Sequence, residues 1–361
     1  MGLFHRKVHI CPMKIRVALV GFGFMGQMHA RVYQALPGVE IAGVVDSFPG
    51  VEARAAEMEI KAPIVSSFEK LLSCADFNVA DICLPTDLHA EAIIAAACAG
   101  KHIFCEKPLA LDADEAERAL QAVEKSGVSL QIGQCIRFWP EYQALEAFVK
   151  SGRGGKLLSL SLQRRAGRPG YSRDNWLHDS RRSKGAALDL HIHDTDYVLH
   201  LLGQPKGIHS VGRLEKEALS HIFTHYLFDN IAVTAEGGWD LPPQWGFQMA
   251  FQAVFENAVI DFDTLSSPTL HLTMGTGQRE PMAFTKPSVS WAATGSGGNI
   301  SDLGGYYNEL AYFCGQLSSG RKIEIATGRQ ALESLRTVLA EIDSVEQKRV
   351  IVLRPGPQGL N

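Results

Sequence analysis

The sequence contains no run of about 20 apolar residues, so it offers no segment that could cross a bilayer as a helix. Neither sign of charge dominates. There are 35 Lys and Arg against 39 Asp and Glu, and a formal net charge of -4 supplies no field for nucleic acid or an anionic membrane surface. The seven cysteines, at 11, 74, 83, 98, 105, 135 and 314, include no Cys-x-x-Cys pair. That argues against structural zinc and against a disulfide framework, and it fits a reducing, cytoplasmic location. Internal repeats and low-complexity tracts are absent too, although Thr294 to Gly298 reads as a mobile loop. The first twelve residues carry His5, Arg6, Lys7 and His9 but no apolar core followed by a small-residue cleavage site. They read as an extension ahead of Met13, itself an alternative start, and not as a secretion signal. What is present, 46% hydrophobic and 20% charged residues over 361 positions, suits a soluble globular protein of two domains.

Residues Val17 to Gly26 read VALVGFGFMG, and twenty positions past the last glycine an apolar run stops at Asp46. The short, β-branched stretch Ile15 to Val20 suits a buried parallel strand, and the glycines fall where that strand must turn into a helix. Gly21 permits the tight turn. Gly23 removes a side chain that would hold a pyrophosphate away from the backbone, and Gly26 allows the helix to pack closely. With Phe24 and Met25 opening the helix, its unpaired N–H groups and dipole can hold phosphates without a lysine. Asp46 then accepts hydrogen bonds from a ribose and repels a 2′-phosphate, which favours NAD; Ser47 and Arg54 nearby leave NADP open. A lone glycine motif also marks ordinary turns, but here the strand, the helix and the acid stand at the required spacing.

From residue 14 to about 135, strands and helices alternate, which predicts a doubly wound parallel sheet. Asp112 with Glu115 marks a helix start that runs to about Ser126. From 136 to 361 the pattern changes. After a helix from Glu141 to Lys150 come period-two runs, Leu157 to Gln163, His221 to Phe228, Ile231 to Glu236, Phe247 to Phe255, Ala258 to Phe262 and Leu270 to Met274. They predict a large, mostly antiparallel open sheet in an α/β domain, closed by helices near 303–317 and 328–344, the second capped by Thr327 with Gln330. A one-sided sheet needs cover, from those helices or from another subunit, so a homodimer or homotetramer through the sheet is expected.

Ligands of doubly wound sheets bind beyond the carboxyl ends of the strands. Pro85-Thr86, Glu106-Lys107-Pro108 and Arg137-Phe138 follow such ends. Lys107 at the sheet rim can exchange a proton with a substrate oxygen, since desolvation and a nearby positive ring favour the neutral amine; a surface lysine paired with Glu106 fits the tripeptide equally. A second cluster, Asp189, His193 and Tyr197, is spaced by four on a predicted helix running to Leu202, with His200 beside it. A histidine oriented by a carboxylate is a natural proton carrier, while plain helix capping is the alternative. The string His191-x-His193-Asp194-x-Asp196 invites a metal-hydrolase reading, but a helix sends the two histidines to different faces and no matching downstream cluster appears, so no metal is assigned.

The glycine fingerprint, Thr86 and His89 in LPTDLH, AGKH ahead of Glu106-Lys107-Pro108, the Asp189-x-x-x-His193-Asp194 helix and Tyr307-x-Glu309-x-x-x-Phe313 together resemble the Gfo/Idh/MocA family, the glucose-fructose oxidoreductase and inositol dehydrogenase group. The resemblance spans Lys14 to about Ser344. It implies a Rossmann domain, an α/β domain with an open sheet, and oxidation of a secondary hydroxyl on a sugar, inositol or related polyol. By the same resemblance the catalytic trio falls on Lys107, Asp189 and His193, and Arg137, Trp176 and Tyr197 lie near the substrate. The expected cofactor set is Gly21, Gly23, Phe24, Met25, Gly26, Asp46, Pro85, Thr86, His89, Glu106 and Lys107. Two departures stand out. Lys184-Gly185 replaces a glycine pair, so a cation is expected at the substrate mouth. Seven basic residues between 164 and 184 face only Asp174 and Asp179, which suits an acidic sugar or else a solvated segment. A dinucleotide-binding regulator with the same fold but no turnover remains the rival reading.

Overall fold

The computed structural model describes residues 13–170, 172–215, 217–287 and 303–353. The expected Thr294 to Gly298 loop and the N-terminal extension lie outside these residues. Six strands, β1 (Ile15–Val20), β2 (Val39–Val45), β3 (Ile64–Val65), β4 (Val79–Ile82), β5 (His102–Glu106) and β6 (Leu130–Gly133), form an all-parallel sheet in the order β3-β2-β1-β4-β5-β6. Helices α1 (Phe24–Ala35), α2 (Val51–Glu57), α3 (Phe68–Cys74), α4 (His89–Cys98) and α5 (Ala113–Ser126) make the connections. Strand order reverses between β1 and β4, and a crevice opens there at the carboxyl edge. The sheet is buried on both faces, as its near-continuous Val, Ile, Leu and Ala content requires. Asp112 caps α5 by accepting from Glu115 N at 2.9 Å.

Beyond β6 the chain enters helix α6 (Pro140–Ser151) and strand β7 (Leu157–Gly167), then a short helix α7 (Ser180–Ser183), a π turn over Ala187–His191 and helix α8 (Ile192–Leu202). Strands β8 (Gly207–Glu215), β9 (Ala218–Leu227), β10 (Ala232–Leu241), β11 (Phe247–Phe255), β12 (Ala258–Asp263), β13 (Leu270–Met274) and β14 (Arg279–Pro281) follow. Helices α9 (Gly304–Ser318) and α10 (Gly328–Gln347) and strand β15 (Ile351–Val352) complete the described chain. The nine-stranded sheet runs β14-β13-β12-β11-β7-β10-β9-β8-β15 and is antiparallel except where β10 pairs with β7. Its inner face packs on α8 and α10. On the outer face Val211 is 54% exposed and Phe223 49%. Thr327 and Gln330 cap α10 reciprocally in a capping box.

The last two helices return to the first sheet. Ile132 N donates to Ala326 O at 2.9 Å, Gln131 bridges Thr327, and Gly328 sits where a Cβ would strike Leu120 at 2.3 Å. The two sheets are therefore buttressed by shared helices.

Helix α8 is fixed by two buried, bidentate ion pairs. Arg164 on β7 donates to Asp194 at 3.0 and 2.9 Å, and Arg137, in the turn after β6, donates to Asp196 at 2.7 and 2.7 Å and to Gln330. Asp194 and Asp196 are fully buried. Removing one partner of such a pair leaves an uncompensated charge, so Asp194→Ala should destabilise the fold by about 3–5 kcal/mol in urea denaturation; a loss below about 1 kcal/mol would show that α8 does not depend on this pair.

Candidate active site

A cleft of about 1380 Å³ lies between the carboxyl edge of the parallel sheet and the inner side of the second sheet. Its volume exceeds the roughly 300–1,000 Å³ of an ordinary small-ligand pocket and has room for an extended ligand with a second molecule beside it. One end is the glycine turn. Gly21 has φ +96°, and a Cβ on it would lie 2.5 Å from Cys83 O; a Cβ on Gly26 would meet Gly21 O at 2.1 Å. A Cβ on Gly23 would meet nothing within 4 Å, so the cradle is open toward the cleft. Phe24 and Met25 line this end, and α1 has no side-chain cap there. Asp46 accepts from Phe22 N at 2.9 Å and Phe48 N at 2.8 Å, which fixes its carboxylate on the cleft wall beside Ser47. Arg54 does not line the cleft.

The other end holds the proton-handling groups. Lys107 leaves the end of β5, and its ammonium donates to Asp189 Oδ1 at 3.0 Å and to Asp189 O at 2.6 Å. His193 lines the same wall, 9% exposed, with Nδ1 buried and unpartnered among the described residues. Burial, then the positive charges of Lys107 and Arg164, push the His193 pKa well below the ordinary imidazole value, so this ring is neutral in the folded protein. The trio read from the sequence is thus brought together. Asp189 lies within the π turn, and both its carboxylate and its backbone carbonyl accept from Lys107.

Pro85, Thr86, Glu106 and Trp176 also line the cleft, as expected. Gly26, whose place is the packing of α1 on the turn, does not, and neither do three other expected residues. Tyr197 is buried and donates to Tyr142 O at 2.8 Å. Arg137 is consumed by Asp196. His89 is buried between two carbonyls, with Nδ1 2.7 Å from Pro108 O and Nε2 2.8 Å from Leu84 O. It braces the β4 and β5 loops and does not face the cleft; burial lowers its pKa against the pull of those carbonyls.

The string around His191 does not converge on one point. His191 turns to Thr224 and Glu341 in the core, while Asp194 and Asp196 hold arginines. The basic run is similarly dispersed. Arg164 pairs with Asp194, Arg165 with Gln248, Arg168 with Glu215 and Arg181 with Asp179. Lys184 does not reach the cleft; Arg182 does, and it clamps Asp87 across the mouth at 2.8 and 3.2 Å. Sequence reasoning missed that clamp, and also missed Trp139, Tyr306 and Trp239 in the cleft wall. Their only signal was aromatic character.

Two family models match the chain. One described as "Oxidoreductase family, NAD-binding Rossmann fold" covers residues 15–134, and the GFO/IDH/MocA C-terminal domain covers 142–260. An inositol 2-dehydrogenase of Rhizobium meliloti is 26% identical over 347 residues, 94% of this chain and 99% of that relative. A levoglucosan dehydrogenase of Pseudarthrobacter phenanthrenivorans is 30% identical, but over only 55% of this chain and 53% of its own length. Among solved structures, levoglucosan dehydrogenase in complex with NADH and levoglucosan superposes with TM-score 0.82 at 21% identity, covering 94% of this chain and 99% of that one, a likeness of fold.

The depressed His193 pKa has a consequence for stability. Between the folded value and the unfolded value of about 6.5, only the unfolded chain takes up the proton, so stability rises with pH through that window and levels off above it. His193→Asn should flatten this part of the urea midpoint against pH profile. Identical slopes in both proteins would contradict the assignment.

Proposed function

Since the chain belongs to the Gfo/Idh/MocA oxidoreductases, with that family's NAD-binding Rossmann domain at 15–134, we propose that it oxidises a secondary hydroxyl of a sugar, inositol or related polyol with NAD. The observation that carries this reading is the meeting of Lys107, Asp189 and His193 at one end of a cleft whose other end is a glycine cradle with Asp46 on its wall. The cradle fits a dinucleotide: its open side at Gly23 admits a pyrophosphate, and Asp46 suits two ribose hydroxyls. Pro85, Thr86, Glu106 and Lys107 would flank the nicotinamide. NAD supplies the hydride acceptor. The protein's share is to orient the alcohol and manage its proton. Neutral His193 can accept that proton, Lys107 can donate to the developing alkoxide, and Asp189 holds the ammonium in place.

The basic run supports a neutral polyol over an acidic one, because four of its arginines are already paired with carboxylates of this chain. Trp176 is the substrate-side residue among those expected, joined by Trp239 and Tyr306 as apolar surfaces for a ring. The outer sheet face, with Val211 and Phe223 exposed side by side on paired strands, supports assembly of a homodimer or homotetramer. No described helix is long and apolar enough to cross a membrane, and the six described cysteines are free thiols, which supports a reducing cytoplasm.

A panel of inositols, aldoses, uronates and amino sugars, scored by NADH formation, tests the activity. Lys107→Ala and His193→Ala should still bind NADH while losing about 10²–10⁴-fold in turnover; full activity of either removes its role, and no turnover by the wild-type protein on any member favours a binding regulator. Light scattering tests the assembly. It should give twice or four times 39.4 kDa, and a monomer mass would refute it.

A further inference from the structure

Behind Lys107 lies a buried group of titratable side chains that the reading above does not use. His29 on α1, fully buried, has Nδ1 2.9 Å from Asp81 Oδ2 and Nε2 3.1 Å from Glu106 Oε1. Glu106 in turn accepts from Lys107 N at 3.2 Å, and its carboxylate packs on Gly133, where a Cβ would come within 3.0 Å. Glu309 on α9 closes the group from the opposite side. It is 0% exposed, neither of its oxygens has a hydrogen-bond partner among the described residues, and one lies within 4.8 Å of both the His29 nitrogen and the Glu106 oxygen.

An ionised carboxylate in that position would carry an uncompensated buried charge beside a second acid, a cost that proteins avoid by protonation. A neutral Glu309 has an O–H to give, and Glu106 Oε1, also without a hydrogen-bond partner among the described residues, is an acceptor within 4.8 Å. We propose that Glu309 is a buried, protonated carboxylic acid that, with His29, clamps the Glu106 carboxylate and so positions Lys107 for proton transfer. It is a positioning residue, since it touches neither cleft nor ligand. The surrounding groups agree in sign. Burial, then Glu106, raise the Glu309 pKa well above the carboxylate range, and burial of His29 is outweighed by Asp81, which holds that imidazole charged. Cys83, Cys105, Cys135, Tyr33 and Tyr306, the other titratable neighbours, are pushed up by burial and stay neutral.

The kinetic part of this inference rests on the dehydrogenase reading; the protonation part does not. Infrared spectra of the whole protein should show the carbonyl stretch of a protonated acid at neutral and mildly alkaline pH, lost in Glu309→Gln. Glu309→Leu should lower kcat by about tenfold or more while the Kd for NADH stays within about twofold, and Glu309→Gln, which keeps a donor and the shape, should recover kcat to within about threefold of wild type. Absence of the infrared band overturns the proposal, as does equal kcat loss in both variants. So does about one equivalent of tightly bound metal that disappears in Glu309→Gln, because His29, Glu106 and Glu309 would then be ligands. If Glu309→Leu does not fold, the infrared band and the wild-type comparison with Glu309→Gln decide. If no polyol is turned over, the band still tests the acid, and the failure belongs to the dehydrogenase reading.

Discussion

Helix α8 carries the imidazole of the site, and its rotation is set by charges that point the other way. Asp194 and Asp196 both face inward, each met by an arginine from a different element, β7 in one case and the turn after β6 in the other. With both carboxylates bound bidentately, the helix can neither roll nor slide without stranding a buried charge. His193 is then left facing the cleft, and the π turn just before it aims Asp189 at Lys107. Lys107 at the end of β5 and His193 on α8 are thereby held in register, which is the preorganisation that the proposed proton transfer requires.

The same logic operates on the Rossmann side. Lys107 emerges from β5 next to Glu106, which lies against His29 and Gly133, while His89 ties the neighbouring loops through Leu84 O and Pro108 O. Helices α9 and α10 follow the second sheet in the chain but pack against the first. The cleft is therefore a joint product of both sheets. The Arg182 to Asp87 ion pair ties α7 to the turn after β4 beside the cleft.

What the sequence made legible is what local physics decides. The glycine turn, the strand ending before Asp46, the caps at Asp112 and Thr327 and the period-two strands depend on neighbours a few residues away. So does the placement of Lys107, because a strand end at a sheet rim is defined by its own segment. Strand β8 is hidden in the pattern, since Gly207 and Gly212 interrupt it; a Cβ on either would strike a partner strand's carbonyl, at 2.8 Å and 2.7 Å. Tyr197 and Arg137 are in the core and not in the cleft wall because their partners, Tyr142 O and Asp196, are 55 and 59 residues away. Regular spacing along a helix shows which side chains share a face but not how deep that face runs. The run of arginines had the same problem. Arg164, Arg165 and Arg168 each found an acid or an amide that only the folded sheet brings near.

The measurement that bears most directly on this account is a crystal structure with NAD bound. The account predicts the pyrophosphate over Gly23 at the start of α1, and the nicotinamide at the β5 end of the cleft, with Lys107 and His193 both facing the side on which C4 would meet an alcohol. A cofactor seated elsewhere, or one bound as predicted with those two side chains turned away from C4, would contradict it.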